Sequence, residues 1–157
     1  MNNLDFVAEF DNMIDISTYQ YYNQLFNQRT IIFNQEINED IIEAIYIPLK
    51  NFEEDEISEP ITLILNSPGG RVTDGFFLAH YIKSYKKKLK ILVTGYAASM
   101  AKVILAGGGN NPNVTRECFP STSTLIHDGY IAIAPSESKT AGDIMAFAER
   151  KVANLGD

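Results

Sequence analysis

The sequence predicts an α/β protein with a mostly parallel sheet flanked by helices. Short β-branched or apolar runs, Thr30-Ile31-Ile32-Phe33, Ile61-Thr62-Leu63-Ile64-Leu65 and Lys90 to Thr94, have the length and composition of strands. Segments with apolar residues at helical spacing separate them, and strands joined through helices return parallel by right-handed crossovers. A length of 157 residues, 45% hydrophobic and 21% charged, fits one soluble globular domain with a substantial core. No internal repeat and no second domain is visible.

The elements follow in order. Residues 1–18 hold no steady period and scatter Asp5, Glu9, Asp11 and Asp15, so they are expected to be a flexible segment ahead of one domain over 19–157. Tyr22, Leu25 and Phe26 give Tyr19 to Phe26 the spacing of a short amphipathic helix. The strand at Thr30–Phe33 comes next. Asn38 can cap the following helix, whose apolar face is Ile41, Ile42, Ala44, Ile45 and Leu49. An acidic loop, Glu53 to Pro60, leads to the buried strand Ile61–Leu65, bounded by Pro60 and Asn66. A helix over about Thr73 to Tyr85 carries Phe76, Phe77, His80, Tyr81 and Ile82, with His80 read as a packed helix residue. After the strand at Lys90–Thr94, a helix from Ser99 to Ala106 is halted by Gly107-Gly108-Gly109. Two short strands are expected near Val114–Cys118 and Ser123–His127. A last helix, about Ala141 to Leu155, has Thr140 as its cap.

Charge and cysteine content narrow the function. A net charge of −7 argues against nucleic acid as a partner, because phosphate binding needs clustered cations. The one basic clump, Lys83, Lys86, Lys87, Lys88 and Lys90, sits at a helix end, where cations complement the dipole and stay solvated. Cys118 is alone, which fits a reducing cytoplasm, and is read as a buried structural thiol. The N-terminus lacks the regions of a signal peptide, and no stretch approaches 18 uninterrupted apolar residues, so a cytoplasmic location without a membrane is expected. There is no phosphate-binding loop of the Gly-x-x-x-x-Gly-Lys-Ser/Thr type, and no cofactor or metal is expected.

Three short pieces can carry chemistry. Asn66-Ser67-Pro68-Gly69-Gly70 follows a buried strand; its glycines permit positive φ and leave backbone N–H groups unshielded, although a plain turn would look the same. Gly95-Tyr96-Ala97-Ala98-Ser99-Met100-Ala101 places one serine among small residues at a strand-to-helix junction. It is not the Gly-x-Ser-x-Gly elbow. A serine at a helix N-terminus meets free N–H groups that favour developing negative charge, or it merely caps the helix. Gly95, Ala97 and Ala98 are read as keeping the approach to Ser99 open. Leu125-Ile126-His127-Asp128-Gly129 puts a histidine at the end of an apolar strand.

Together, and in this order, the three pieces resemble the signature blocks of the Clp protease proteolytic subunit. The interval from Gly70 to Ser99 fits that family without a gap. The likeness extends back through Tyr22 to Phe26 and Arg29 to Phe33, and forward into Ala141-Gly142-Asp143-Ile144, covering roughly residues 20 to 155. The resemblance implies the Clp and crotonase spiral of ββα units and a serine endopeptidase. Ser99 would be the nucleophile and His127 the general base. The N–H groups of Gly70 and Met100 would form the oxyanion hole, with a side chain at position 70 hindering the substrate carbonyl. An extended peptide or unfolded protein would pair with Gly69, Gly70, Arg71 and Val72, and with the segment after His127, with low sequence specificity. The resemblance also implies a homo-oligomer of two stacked heptameric rings fed by an AAA+ Clp unfoldase. Ile144, Met145, Phe147, Ala148 and Val152 of the last helix would lie in an interface, and the N-terminal segment would form an axial loop.

Departures from the family pattern define the alternatives. The family's triad aspartate lies well downstream of the histidine, past Asp157, so the domain reads as truncated in or just after the last, handle helix. Asp128 follows His127 directly and on a strand would face the other way, and nothing aims Glu137 or Asp143 at the imidazole. In the template triad, losing the acid's hold on the histidine tautomer costs about 10⁴ in rate. The Ser99–His127 interval is also longer than usual, within Gly107 to Pro112. Two other readings therefore stand beside the peptidase: a catalytically degenerate subunit that assembles or binds peptide, and a crotonase-type acyl-CoA enzyme.

Overall fold

A computed structural model describes residues 16–127. Its elements are α1 (Ile16–Asn27), β1 (Thr30–Phe33), α2 (Glu39–Glu54), β2 (Ile61–Ser67), α3 (Val72–Lys83), β3 (Leu89–Ala98), α4 (Met100–Gly107), a 3₁₀ turn at Gly108–Asn110, β4 (Val114–Cys118) and β5 (Ser123–Leu125). Among the described residues every strand pairing is parallel, in the order β1-β2-β3-β4, and β5 joins β3 beyond the end of β4. This is the expected mostly parallel sheet with helical crossovers.

Burial alternates along β1, β2 and the first part of β3, as it must when one sheet face is covered more tightly than the other. Phe33, Leu63, Leu65, Ile91 and Val93 are buried in one cluster with Ile45, Leu49, Leu78, Ile82 and Ile104 from the helices, so α2, α3 and α4 share one face. Asn38 caps α2 as expected, its side chain accepting the Ile41 N–H at 2.9 Å. Helix α1 begins at Ile16, three residues before its predicted start.

Helix α4 is pressed against α3. A Cβ on Gly75 would collide with the Met100 side chain, and one on Gly107 would run into the Ala79 backbone. One small residue at each end of α4's contact lets the two helices approach.

Three expectations are corrected. His80 is exposed and stacks on Phe76 with ring centroids 6.0 Å apart, because α3 turns Gly75, Leu78, Ala79 and Ile82 to the core instead. Cys118 is exposed, because only Val114 of β4 is buried. Lys87 is not merely solvated: its ammonium donates to the Asp55 carboxylate at 2.8 Å and to the Ile57 carbonyl at 3.1 Å. The expected last helix, with Ile144, Met145, Phe147, Ala148 and Val152, lies outside the described residues.

Candidate active site

Members of the three pieces, Gly69, Ser99 and Leu125, come together at the carboxyl ends of β2, β3 and β5, where parallel α/β sheets place their sites. The first follows β2. Pairing between β2 and β3 shifts register between Leu65 and Ser67, and the Asn66 side chain fills the irregularity. Its Oδ1 accepts the Tyr96 N–H at 3.0 Å and its Nδ2 donates to Asn34 Oδ1 at 2.6 Å. Beyond it, Gly69 and Gly70 have φ of 97° and 146°, left-handed values that favour glycine.

Residue Ile37 pairs with this loop as a single parallel bridge: its N–H donates to the Gly69 carbonyl at 2.8 Å, and the Arg71 N–H donates to the Ile37 carbonyl at 2.9 Å. The Gly69–Gly70 peptide is trans and planar, so the Gly70 N–H, opposite the carbonyl that Ile37 holds, faces away from Ile37. Among the described residues no backbone hydrogen bond engages it.

The second piece ends β3. Ser99 has φ 52° and ψ −124°, a strained conformation for a residue with a side chain, and its hydroxyl makes no capping bond to α4. The side-chain cap considered from the sequence is therefore not what the serine does. Its own N–H donates to the Leu125 carbonyl at 2.8 Å. The first residue of α4 is Met100, whose N–H belongs to the helix's first turn and has no intrahelical acceptor.

The roles of the small residues differ from those read in the sequence. A Cβ on Gly69 would lie 2.7 Å from Ser99 Cβ and 2.9 Å from Met100 N, whereas one on Gly70 would run into the Ile37 backbone. Gly69 is thus the residue that admits the loop to the serine. Gly95 makes room for the Asn66 amide, and Ala97 is buried in the core, so neither clears a path to Ser99.

The third piece begins beside the second in space, although 24 residues separate Ala101 from Leu125 in the chain. Strand β5 pairs with Tyr96–Ala98, ending with Leu125 opposite Ala98, and the exposed His127 stands two residues further on. Arg71 and Val72 open α3 with exposed side chains; the Arg71 guanidinium lies 3.1 Å from Asp74 and 3.7 Å from Glu39. Asp128, Glu137 and Asp143 lie outside the described residues.

The Clp protease family model matches residues 14–150. The chain belongs to the Clp protease family. It is similar to ATP-dependent Clp protease proteolytic subunit 2 of Prochlorococcus marinus strain MIT 9312, 29% identical over 137 residues, covering 87% of this chain and 62% of the relative. The protein of the same name from strain NATL2A is 30% identical over 120 residues, covering 76% of this chain and 56% of the relative. The chain thus spans less than two thirds of the length of these relatives.

A second polar cluster lies at the opposite end of the sheet, and no local sequence motif marks it. Arg29, just before β1 and with φ 54°, donates to Asp55 at 2.5 Å and to the carbonyls of Glu59 and Phe52, and its guanidinium lies over the Phe52 ring. The Arg29 hydrogen bond, with help from Lys87, holds the Asp55 carboxyl down at about 2 against the opposing effect of burial. Nearby, burial foremost and the Glu53 carboxylate next push the Tyr81 hydroxyl far above the usual phenol range. Among the described residues no helix is long and apolar enough to cross a membrane.

Proposed function

We propose that this chain is a serine endopeptidase subunit in which Ser99 is the nucleophile and His127 the general base. The observation that carries the reading is the backbone of Ser99: left-handed, uncapped by its own hydroxyl, at the start of a helix and touching a glycine that admits the loop before it. Strain of this kind persists only where surrounding structure over-determines it, and it collects at active sites.

In the proposed reaction an extended peptide adds alongside Gly69, Gly70, Arg71 and Val72, reading main chain rather than side chains. The Ser99 hydroxyl attacks the scissile carbonyl while His127 takes its proton. The N–H groups of Gly70 and Met100 receive the oxyanion. Collapse of the tetrahedral intermediate passes the proton from His127 to the leaving amine, and water, activated by the same histidine, releases the acyl group.

The relatives' name, with its ATP dependence and its "proteolytic subunit", supports assigning ATP hydrolysis to a separate AAA+ Clp unfoldase that delivers unfolded protein. Assembly as heptameric rings and a cytoplasmic location belong to the same proposal. The test is hydrolysis of an unfolded protein such as casein by the chain: turnover is expected, and Ser99→Ala should abolish it. Binding without turnover by the parent chain would favour the degenerate-subunit reading.

A further inference from the structure

We infer that Ser67 is a positioning residue for the oxyanion hole, aiming the Gly70 N–H through the peptide group of Gly69. The inference rests on the reading of Gly70 as an oxyanion donor. Ser67 ends β2 and is fully buried, with 0% of its surface exposed. A hydroxyl placed there needs partners, since an unpaired buried polar group is costly. It has two. It donates to the Gln35 carbonyl at 2.6 Å and accepts the Gly69 N–H at 3.2 Å.

The geometry makes this more than satisfied burial. Gly69 lacks a side chain and would otherwise be free to rotate about both φ and ψ. Its N–H is held by Ser67 and its carbonyl by the Ile37 N–H at 2.8 Å, so both sides of the residue are pinned. The Gly69–Gly70 peptide is trans and planar, which sets the Gly70 N–H opposite the Gly69 carbonyl. Fixing that carbonyl on Ile37 therefore aims the Gly70 N–H away from Ile37. Ser67 also holds the segment that presents Ile37, because its hydroxyl is bound to Gln35 two residues earlier. One hydroxyl thus joins the loop to the chain that orients it.

The test is the rate at which a fluorophosphonate probe labels Ser99, whose phosphoryl oxygen would occupy the same hole, measured well below the melting temperature. Ser67→Ala should slow labelling by roughly tenfold or more, short of the 10²–10³ typical of deleting a donor outright. Affinity for a substrate-like peptide, measured on Ser99→Ala with and without Ser67→Ala, should stay the same. Asn111→Ala is the structural control: Asn111 is also buried and donates to the carbonyls of Ile82 and Tyr85, at the other end of the sheet. It should lower the melting temperature comparably and leave labelling unchanged. Ser67→Ala labelling like the parent, or both variants slowing in step with their loss of stability, would overturn the inference. A parent chain that never labels at Ser99 would instead remove the nucleophile assignment, and the oxyanion inference with it.

Discussion

Arg29 and Ser99 are the two described residues other than glycine with left-handed backbone, φ 54° and 52°, and they stand at opposite ends of the same sheet. Each conformation costs on the order of 1–3 kcal/mol. At Arg29 side-chain contacts offset this cost: a guanidinium 7% exposed, bound to Asp55 and to the carbonyls of Glu59 and Phe52, ties the end of α2 to the start of β1. At Ser99 no cap bond offsets the strain, and the residue is forced into place by Gly69, α4 and the Leu125 carbonyl. A similar φ therefore carries different meanings. At one end it is held by side-chain contacts that stabilise the fold, and at the other it presents a hydroxyl.

The contrast can be broken most severely at Gly69. Gly69→Ala places a Cβ 2.7 Å from Ser99 Cβ at a φ of 97°, so the loop must retreat. Peptide turnover should fall by about 10²–10³, the effect of losing an oxyanion donor, while thermal melting shows a folded chain. A smaller effect separates the two strained residues. Glycine removes backbone strain at both, so Ser99→Gly should stabilise the chain by about 1 kcal/mol in urea unfolding. Arg29→Gly should destabilise it by about 2 kcal/mol, because the Asp55 carboxylate loses its main partner. Equal shifts of the same sign would erase the distinction.

The smallest expected effect is the pH dependence at the Arg29 end. Asp55 is held at about 2 in the folded chain, below its ordinary 3.8. A depressed carboxyl binds its proton more readily when unfolded, so its contribution is complete above about pH 4 and is lost as pH falls towards 2. Melting temperatures should drop over that window in the parent and more shallowly in Asp55→Asn. Parallel curves would show that the pair contributes nothing.

The periodic parts of this fold were legible because burial on one sheet face writes itself into local sequence. Thr30–Phe33 and Val114–Cys118 match the predicted strands, and Asn38 caps as read. What the sequence hid depends on partners remote in the chain. Strand β3 runs four residues past Thr94 because Ala97 pairs with Ser67 and Tyr96–Ala98 pair with β5, which Gly95 disguises. Lys87 and Arg29 both depend on Asp55, 32 and 26 residues away. At the candidate site, the motifs brought Ser99, His127, Gly69 and Gly70 forward as candidates. The division of labour between the glycines was not legible, because it turns on Ile37, which no motif contains.

The most direct test of Ser99 as a strained nucleophile is the position of a fluorophosphonate adduct, located by mass spectrometry on the folded chain. The assignment predicts one adduct, on Ser99, absent after denaturation before labelling. An unmodified folded chain, or an adduct on another serine with Ser99 intact, would contradict it.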